Sequence, residues 1–494
     1  MTEQDSDEIR TIDTQGGAYV AGQVDTRGGQ FIGRDLKIFN VSLPMMPVVV
    51  ILVAVILVMA YLVLPKRPKA MTGLFNIAVA EFSVLNSEGQ PLRTEDGKKF
   101  AEFLHQRLVT EFAGLGLTIP YEIWSPEYTG LIPGGDPAER ARSPGALADR
   151  INANILVYGV INKAEDSSRV YPEFYVNYRG FEQAQEITGE HELGKSIRLD
   201  LPFDPAQFQG VDNPALTARI QVLNLITVGL AYYSTDNLNQ ALEYFSRGEA
   251  TPGWLSNAGK EVVYLLLGNT EARMASQAKS PELLESALAH YERALSINPD
   301  YARAKVGRAG VYYLLALGDP NVSSFDTVND ELLDQADAEY EAALTFDAPE
   351  SANIDEKVHF GLGQVYLVRA QIEAGEWTVR AKNEFNQVIA AYQSGDPRLT
   401  DLAGHAYARL GLIALLEGDA DNAASNYEMA SKLVTPYWQG IYKARIGEIY
   451  VDVGEIDLAL RAFQEAVQIA EQFGDEESAE RYLDRVREIE ANTK

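Results

Sequence analysis

The chain has 494 residues, of which 46% are hydrophobic, too long for one core and rich enough for several. Its formal charge of −29 excludes a surface built for nucleic acid, which needs a basic stripe, and otherwise serves solubility. The absence of cysteine removes disulfides, thiolate zinc sites and cysteine nucleophiles together.

Residues 1–42 read as a polar tail. Within it Gly16-Gly17-Ala18-Tyr19-Val20 returns as Gly28-Gly29-Gln30-Phe31-Ile32, which sets Tyr19 over Phe31 and Val20 over Ile32 in a short hairpin turning near Asp25-Thr26. The segment resembles the glycine-rich repeats ahead of some bacterial signalling ATPases, and its functional reading is a self-association or docking tag. A partly ordered tail is the alternative, because an isolated hairpin is marginal in water.

Residues 43–64 carry no charge and consist mainly of Val, Ile, Leu and Met. At about 1.5 Å per residue such a run crosses a bilayer core of about 30 Å. It lies too far into the chain, and lacks the small-residue cleavage site, for a removed signal peptide. One transmembrane helix in contact with the lipid bilayer is expected, making a single-pass protein of a bacterial cell membrane. Lys66, Arg67 and Lys69 close behind it favour a cytoplasmic C-terminal side, although over a wider flank the two sides tie.

Residues 73–205 read as a separate small α/β domain. Strands are expected at 76–82, 117–124, 155–161, 170–178 and 196–201. A helix at 98–113 carries Phe100, Phe103, Leu104, Leu108 and Phe112 on one face and stops at Gly114; a second runs over 145–151, after a Pro- and Gly-rich loop at 126–143. The order suggests a small mixed sheet with helices. Ala146-Leu147-Ala148 through Ile155-Leu156-Val157-Tyr158-Gly159-Val160 resembles the domain that opens bacterial TolB-type proteins, with Asn152-Ala153-Asn154 here where many relatives have Gly-Ala-Asp. That resemblance implies partner binding or assembly at an envelope, no catalytic residue, and an extracytoplasmic C-terminal part.

Residues 214–474 repeat one pattern six times. Tyr407, Leu410, Gly411 and Ala414 are followed by Ala423, Tyr427, Ala430 and Pro436, and then Lys443, Ile446, Gly447 and Tyr450 by Ala459, Phe463 and Ala466. Each unit is a helical hairpin: a small residue on the first helix marks a close approach, and an alanine and an aromatic follow on the second. Gly418 and Gly454 sit at the turns between the helices. Four looser copies precede these two. They carry Gly229, Tyr232, Ala241 and Phe245; Gly268, Ala287, Tyr291, Ala294 and Pro299; Ala309, Tyr312, Ala336, Tyr340 and Ala343; and Leu362, Gly363, Tyr366, Ala381, Phe385 and Val388. Copies two to four hold extra residues between their helices, most of them near Gly318-Asp319-Pro320. Residues 475–494 read as a capping helix with Tyr482, Leu483, Val486 and Ile489 on its inner side. The pattern resembles the tetratricopeptide repeat (TPR), which implies a mainly α fold: a right-handed superhelix of about six hairpins, preceded here by the small α/β domain and the transmembrane helix.

No catalytic constellation is legible. Asp96-Gly97-Lys98-Lys99 lacks the upstream glycine and the hydroxyl residue of a phosphate-binding loop, and Gly361-Leu362-Gly363 falls inside a repeat helix. His105, His191, His290, His359 and His405 are scattered, without ligand spacing. Pairs such as Glu476-Glu477 sit on solvent faces without an apolar pocket to raise a pKa. No cofactor, metal or nucleic acid is expected, and the chain reads as a non-enzyme.

The repeat resemblance implies a concave groove lined by the first helix of each hairpin. Carried across, its positions are His405, Ala408, Leu412, Leu415 and Leu416 in the fifth copy, Ile441, Ala444, Glu448 and Asp452 in the sixth, and Lys357, Phe360 and Gln364 in the fourth. The basic and amide residues with which chaperone-binding members hold a C-terminal carboxylate are missing, so a mainly apolar groove for a protein partner's peptide or helix is expected. The resulting reading is a membrane-anchored scaffold for protein–protein interaction. Its rivals are an enzyme or small-ligand sensor with its site in the α/β domain, and a regulatory subunit of a separately encoded signalling enzyme.

Overall fold

The computed structural model describes residues 70–492, apart from 87–89, 116–118, 133–136, 164–167, 182–186, 207, 209–212, 255–256 and 319–327. The expected tail hairpin and the membrane span at 43–64 lie outside the described residues.

The first region is a sheet of eight strands: β1 Phe75–Val79, β2 Ser83–Leu85, β3 Pro91–Leu92, β4 Tyr121–Trp124, β5 Ile155–Lys163, β6 Ser168–Val176, β7 Gly189–Glu192 and β8 Ile197–Leu199. β1 lies parallel between β4 and β5, and β2 continues along the same edge of β5. β6 runs antiparallel along the other edge of β5, and β7 and β8 share the far edge of β6. All five residues of β1 are buried, as a strand covered on both faces requires. Helix α1 (Glu95–Ala113) covers the face bearing Ile77, Val79 and Val157. It begins before its expected first residue, because the Thr94 side chain accepts a hydrogen bond from the Gly97 amide and Glu95 and Asp96 favour its N-terminus.

Two departures follow from proline. The expected loop at 126–143 contains a short helix, α2 (Pro126–Thr129), and the start of α3 (Pro137–Ile151), which runs through Pro144. Pro126 and Pro137 stand at first helical positions, where a missing N–H is harmless, so a cluster that reads as a breaker instead starts helices. α3 covers the second face of the sheet, with Leu147, Ala148 and Ile151 against Ala78, Leu156 and Tyr158.

Thirteen further helices form six hairpins and a cap. The hairpins pair α4 (Pro214–Ser234) with α5 (Leu238–Glu249), α6 (Lys260–Ala278) with α7 (Pro281–Ile297), and α8 (Ala302–Ala316) with α9 (Asp330–Ala343). They continue with α10 (Ile354–Ile372) and α11 (Trp377–Gln393), α12 (Thr400–Leu416) and α13 (Ala420–Leu433), and α14 (Pro436–Asp452) and α15 (Ile456–Gln472), closed by α16 (Glu476–Asn492). The fold is thus mainly α, a solenoid of helical hairpins behind a small α/β region. α4 is long and apolar enough to cross a membrane, and most of it is buried inside the protein as a core helix.

In five of the six hairpins what approaches the small residue of the first helix is a ring. A Cβ added to Gly229, Gly268, Gly363, Gly411 or Gly447 would stand under 3.0 Å from Phe245, Tyr291, Phe385, Tyr427 or Phe463 respectively, the aromatic of the second helix in the same hairpin. The extra residues of the second and fourth copies mainly lengthen helices: α6 and α10 each have 19 residues. Tyr482, Val486 and Ile489 of the cap are buried, whereas Leu483 is 37% exposed and does not belong to the inner side.

The α/β region is not a separate body. One hydrophobic core runs from Phe75, Ile77 and Phe100 through Leu216, Leu223 and Ile226 of α4 to Phe245 and Val263. A second seam joins the β7 edge of the sheet to the N-terminal ends of successive first helices. Gly194 and Gly189, both at positive φ, let the backbone approach Ala258 and Ser351, where a Cβ would meet carbonyl oxygens at 2.4 and 2.7 Å. Arg303, 2% exposed at the start of α8, donates to the carbonyls of Thr188 and Glu190, the latter at 3.0 Å. His191 stacks on Phe174 with its Nε2 2.7 Å from the Ile187 carbonyl, and burial holds it far below the ordinary histidine range, so it stays neutral.

Candidate functional site

Beyond this seam the first helices of hairpins four to six face an open cavity of about 350 Å³. Phe360 of α10, His405, Ala408, Arg409 and Leu412 of α12, Tyr427 of α13, and Trp438, Ile441, Tyr442 and Arg445 of α14 line it. The lining residues of one helix recur three or four apart, as one helical face requires: Ala408 and Leu412, Trp438 and Tyr442, Ile441 and Arg445.

The rings are held by one another and by a short polar chain. His405 lies edge-on to Trp438 at 5.1 Å between centroids, Trp438 is 6.0 Å from Tyr442, and Tyr442 is 5.8 Å from Tyr427. His405 Nε2 lies 3.3 Å from the Asp401 carboxylate one turn earlier, and its Nδ1 lies 2.7 Å from the Tyr442 hydroxyl. Both contacts are satisfied when Nε2–H donates to Asp401 and the hydroxyl donates to Nδ1. Asp401 also accepts from the Thr435 amide at 3.2 Å. Burial pushes the Tyr442 hydroxyl above the usual phenol range, against the pull of the Arg409 guanidinium, so it remains a donor.

Phe360, His405, Ala408, Leu412 and Ile441 are therefore brought together on one wall. Other expected groove positions go elsewhere. Lys357 is 8% exposed and donates its Nζ to the Ala352 carbonyl at 2.6 Å, close to the seam. Leu415 packs in the apolar cluster of Tyr427 and Tyr442, and Ala444 packs under α15 and the cap. Glu448 accepts from Arg485 of the cap at 2.8 and 2.9 Å. Gln364 is half-buried on α10 outside the lining, and Leu416 and Asp452 are exposed at helix ends. The cap takes up Ala444 and Glu448, whereas Leu415 turns inward on its helix and Leu416 and Asp452 end theirs.

Arg409, Trp438, Tyr442 and Arg445 are lining residues that the repeat pattern alone does not single out, and Tyr427, which the pattern gives as the hairpin's ring, also reaches the wall. A helical signal for three of them was present: Arg409 follows His405, and Arg445 follows Ile441, by four residues, while Trp438 precedes Ile441 by three.

Residues 442–473 match the family described as tetratricopeptide repeat, a stretch that holds most of α14 and all of α15. No curated protein matches the chain. Among solved structures, the chain is similar to one in the APC/C hetero-tetramer Cut9–Hcn1, at 13% identity over 53% of this chain and 43% of that one, with a TM-score of 0.38. It is also similar to PilW, described as a widely conserved type IV pilus biogenesis factor, at 16% identity over 53% and 98% and a TM-score of 0.36. A third is a tetratricopeptide repeat protein from Parabacteroides merdae, at 14% identity over 55% and 93% and a TM-score of 0.32. The chain spans less than half the length of the first of these. These likenesses concern the hairpin fold alone.

Proposed function

We propose that this chain is a membrane-anchored scaffold that seats a segment of a protein partner in the cavity between α10, α12 and α14. The observation that carries the reading is the cavity itself: a largely aromatic and aliphatic wall, drawn from three successive hairpins, that the described residues leave open. Elsewhere the first helices are engaged by the sheet edge or the cap. The wall suits an apolar side chain of a peptide or helix, and two of its polar groups, His405 and Tyr442, already hold one another.

The anchor rests on the charge-free run at 43–64, and the placement of the repeats outside the cytoplasm rests on the TolB-like resemblance of the α/β region. The full chain is expected to stay with membranes through high salt and alkali; release by alkali would remove the anchor from the reading.

Leu412→Glu is expected to leave the melting transition within a few degrees of wild type and to reduce capture of membrane-derived partners in mild detergent by about tenfold or more. A carboxylate pressed against the apolar side chain of a ligand is desolvated, at about 1–3 kcal/mol, and its charge also competes for Arg409 and Arg445, which line the same cavity. Trp438→Ala supplies the companion variant, since large central aromatics carry much of an interface's energy. Unchanged capture by both variants, with both folded, would place the partner elsewhere.

A further inference from the structure

The chain is acidic, with 71 Asp and Glu against 42 Lys and Arg, yet the permanently charged residues that line the cavity are Arg409 and Arg445. Two cations of the same end of the stack that do not line it are paired: Lys443 lies 2.8 Å from both Glu428 and Glu465, and Arg485 lies 2.8 Å from Glu448. Among the described residues neither Arg409 nor Arg445 has a carboxylate at ion-pair distance. Asp401, the carboxylate that holds His405, also accepts from the Thr435 amide. Both guanidiniums line the same cavity as the Tyr427 and Tyr442 rings, Arg409 from α12 and Arg445 from α14. Two unpaired guanidiniums over an apolar floor suit a planar carboxylate, which arginine binds through two parallel N–H donors.

We infer that the segment seated here is an internal acidic stretch of the partner, with a Leu or aromatic side chain between Phe360, Leu412 and Trp438 and a neighbouring Asp or Glu held by Arg409 and Arg445. This rests on the groove reading above and narrows it to one chemistry. The apolar side chain contributes burial; the carboxylate fixes register and direction, because an unmatched charge at the rim is poorly tolerated.

The test uses the full chain in detergent micelles and fluorescent dodecapeptides acetylated and amidated at their ends, each with one central Phe flanked by two Glu, two Gln or two Lys. The Glu peptide is expected to bind at least about tenfold more tightly than the Gln peptide, the equivalent of about 1.4 kcal/mol, with the Lys peptide weakest. Raising the salt should narrow the gap. In the double variant Arg409→Gln, Arg445→Gln the Glu peptide should fall to the level of the Gln peptide, whose own affinity stays the same. Equal binding of the Glu and Gln peptides, lost in Leu412→Glu, would overturn the acidic inference and leave the groove reading standing. Binding that appears only with a free C-terminal carboxylate would overturn the internal segment. Absence of binding, or binding indifferent to both Leu412→Glu and Trp438→Ala, would overturn both.

Discussion

Arg303→Ala is expected to cost about 3–5 kcal/mol, because one buried guanidinium serves two backbone carbonyls, those of Thr188 and Glu190. Hydrogen bonds from a charged donor contribute about 1.5–3 kcal/mol each, and removing the donor strands both acceptors in a place water does not reach. The loss should appear as a lowered denaturant midpoint, with faster amide exchange in β7. Arg303→Lys, which keeps the charge but not the fork, is expected to fall between the two. A pH profile adds an independent readout. Burial pushes the Glu190 carboxyl up to about 7, with Glu173 adding to the rise and Arg303 opposing it. A carboxyl raised in the folded state binds more protons there than in the unfolded chain, so stability falls as pH rises from about 4.5 to about 7 and is level above that window. Without Arg303 the fall should extend to higher pH and be larger in total, and Glu190→Gln in the same background should recover part of the loss at pH 8. A midpoint within about 0.5 kcal/mol of wild type would show that the seam is held elsewhere.

That seam marks where sequence reasoning stops. The hairpins were legible because a ring on one helix needs a missing Cβ on its partner, and Gly229, Gly268, Gly363, Gly411 and Gly447 each stand opposite Phe245, Tyr291, Phe385, Tyr427 and Phe463. Such a pair is local: both members lie within one supersecondary unit, so the repeat period exposes them. The contact between Arg303 and the β7 carbonyls joins residues more than a hundred positions apart, and nothing in the spacing of either segment signals the other. β7 itself, Gly189-Glu190-His191-Glu192, carries a glycine and a neutral histidine at its buried positions, where a strand pattern expects apolar side chains, and half-buries Glu190 beside Tyr158. The groove was half legible for the same reason. Positions on one helix face follow from a period of 3.6, which finds Ala408 and Leu412 together; which end of the stack is covered depends on the sheet edge and on Arg485 of the cap.

Tyr291→Ala is expected to cost about 3–5 kcal/mol, the range for removing a large buried aromatic, and to act on two hairpins at once. Its ring is 2% exposed and fills the space above Gly268 of its own hairpin, where an added Cβ would lie 2.8 Å from the ring, and above Gly307 of α8, where it would lie 2.6 Å away. Tyr340 spans the next junction in the same manner, against Gly361 of α10. In a stack held by nearest-neighbour contacts, a cavity at such a junction weakens the coupling between units as well as the unit itself. The transition of Tyr291→Ala should therefore broaden as well as shift, while Phe463→Ala, whose ring serves the last hairpin and the cap, should chiefly fray the C-terminal end. Tyr291→Phe separates packing from polarity: the hydroxyl donates to Asn269, 2% exposed, and losing it strands that acceptor at about 1–3 kcal/mol with the ring contacts intact. Equal losses for the Phe and Ala variants would mean that the hydroxyl's bond to Asn269 within hairpin two, and not the ring packed over Gly268 and Gly307, carries the stabilisation.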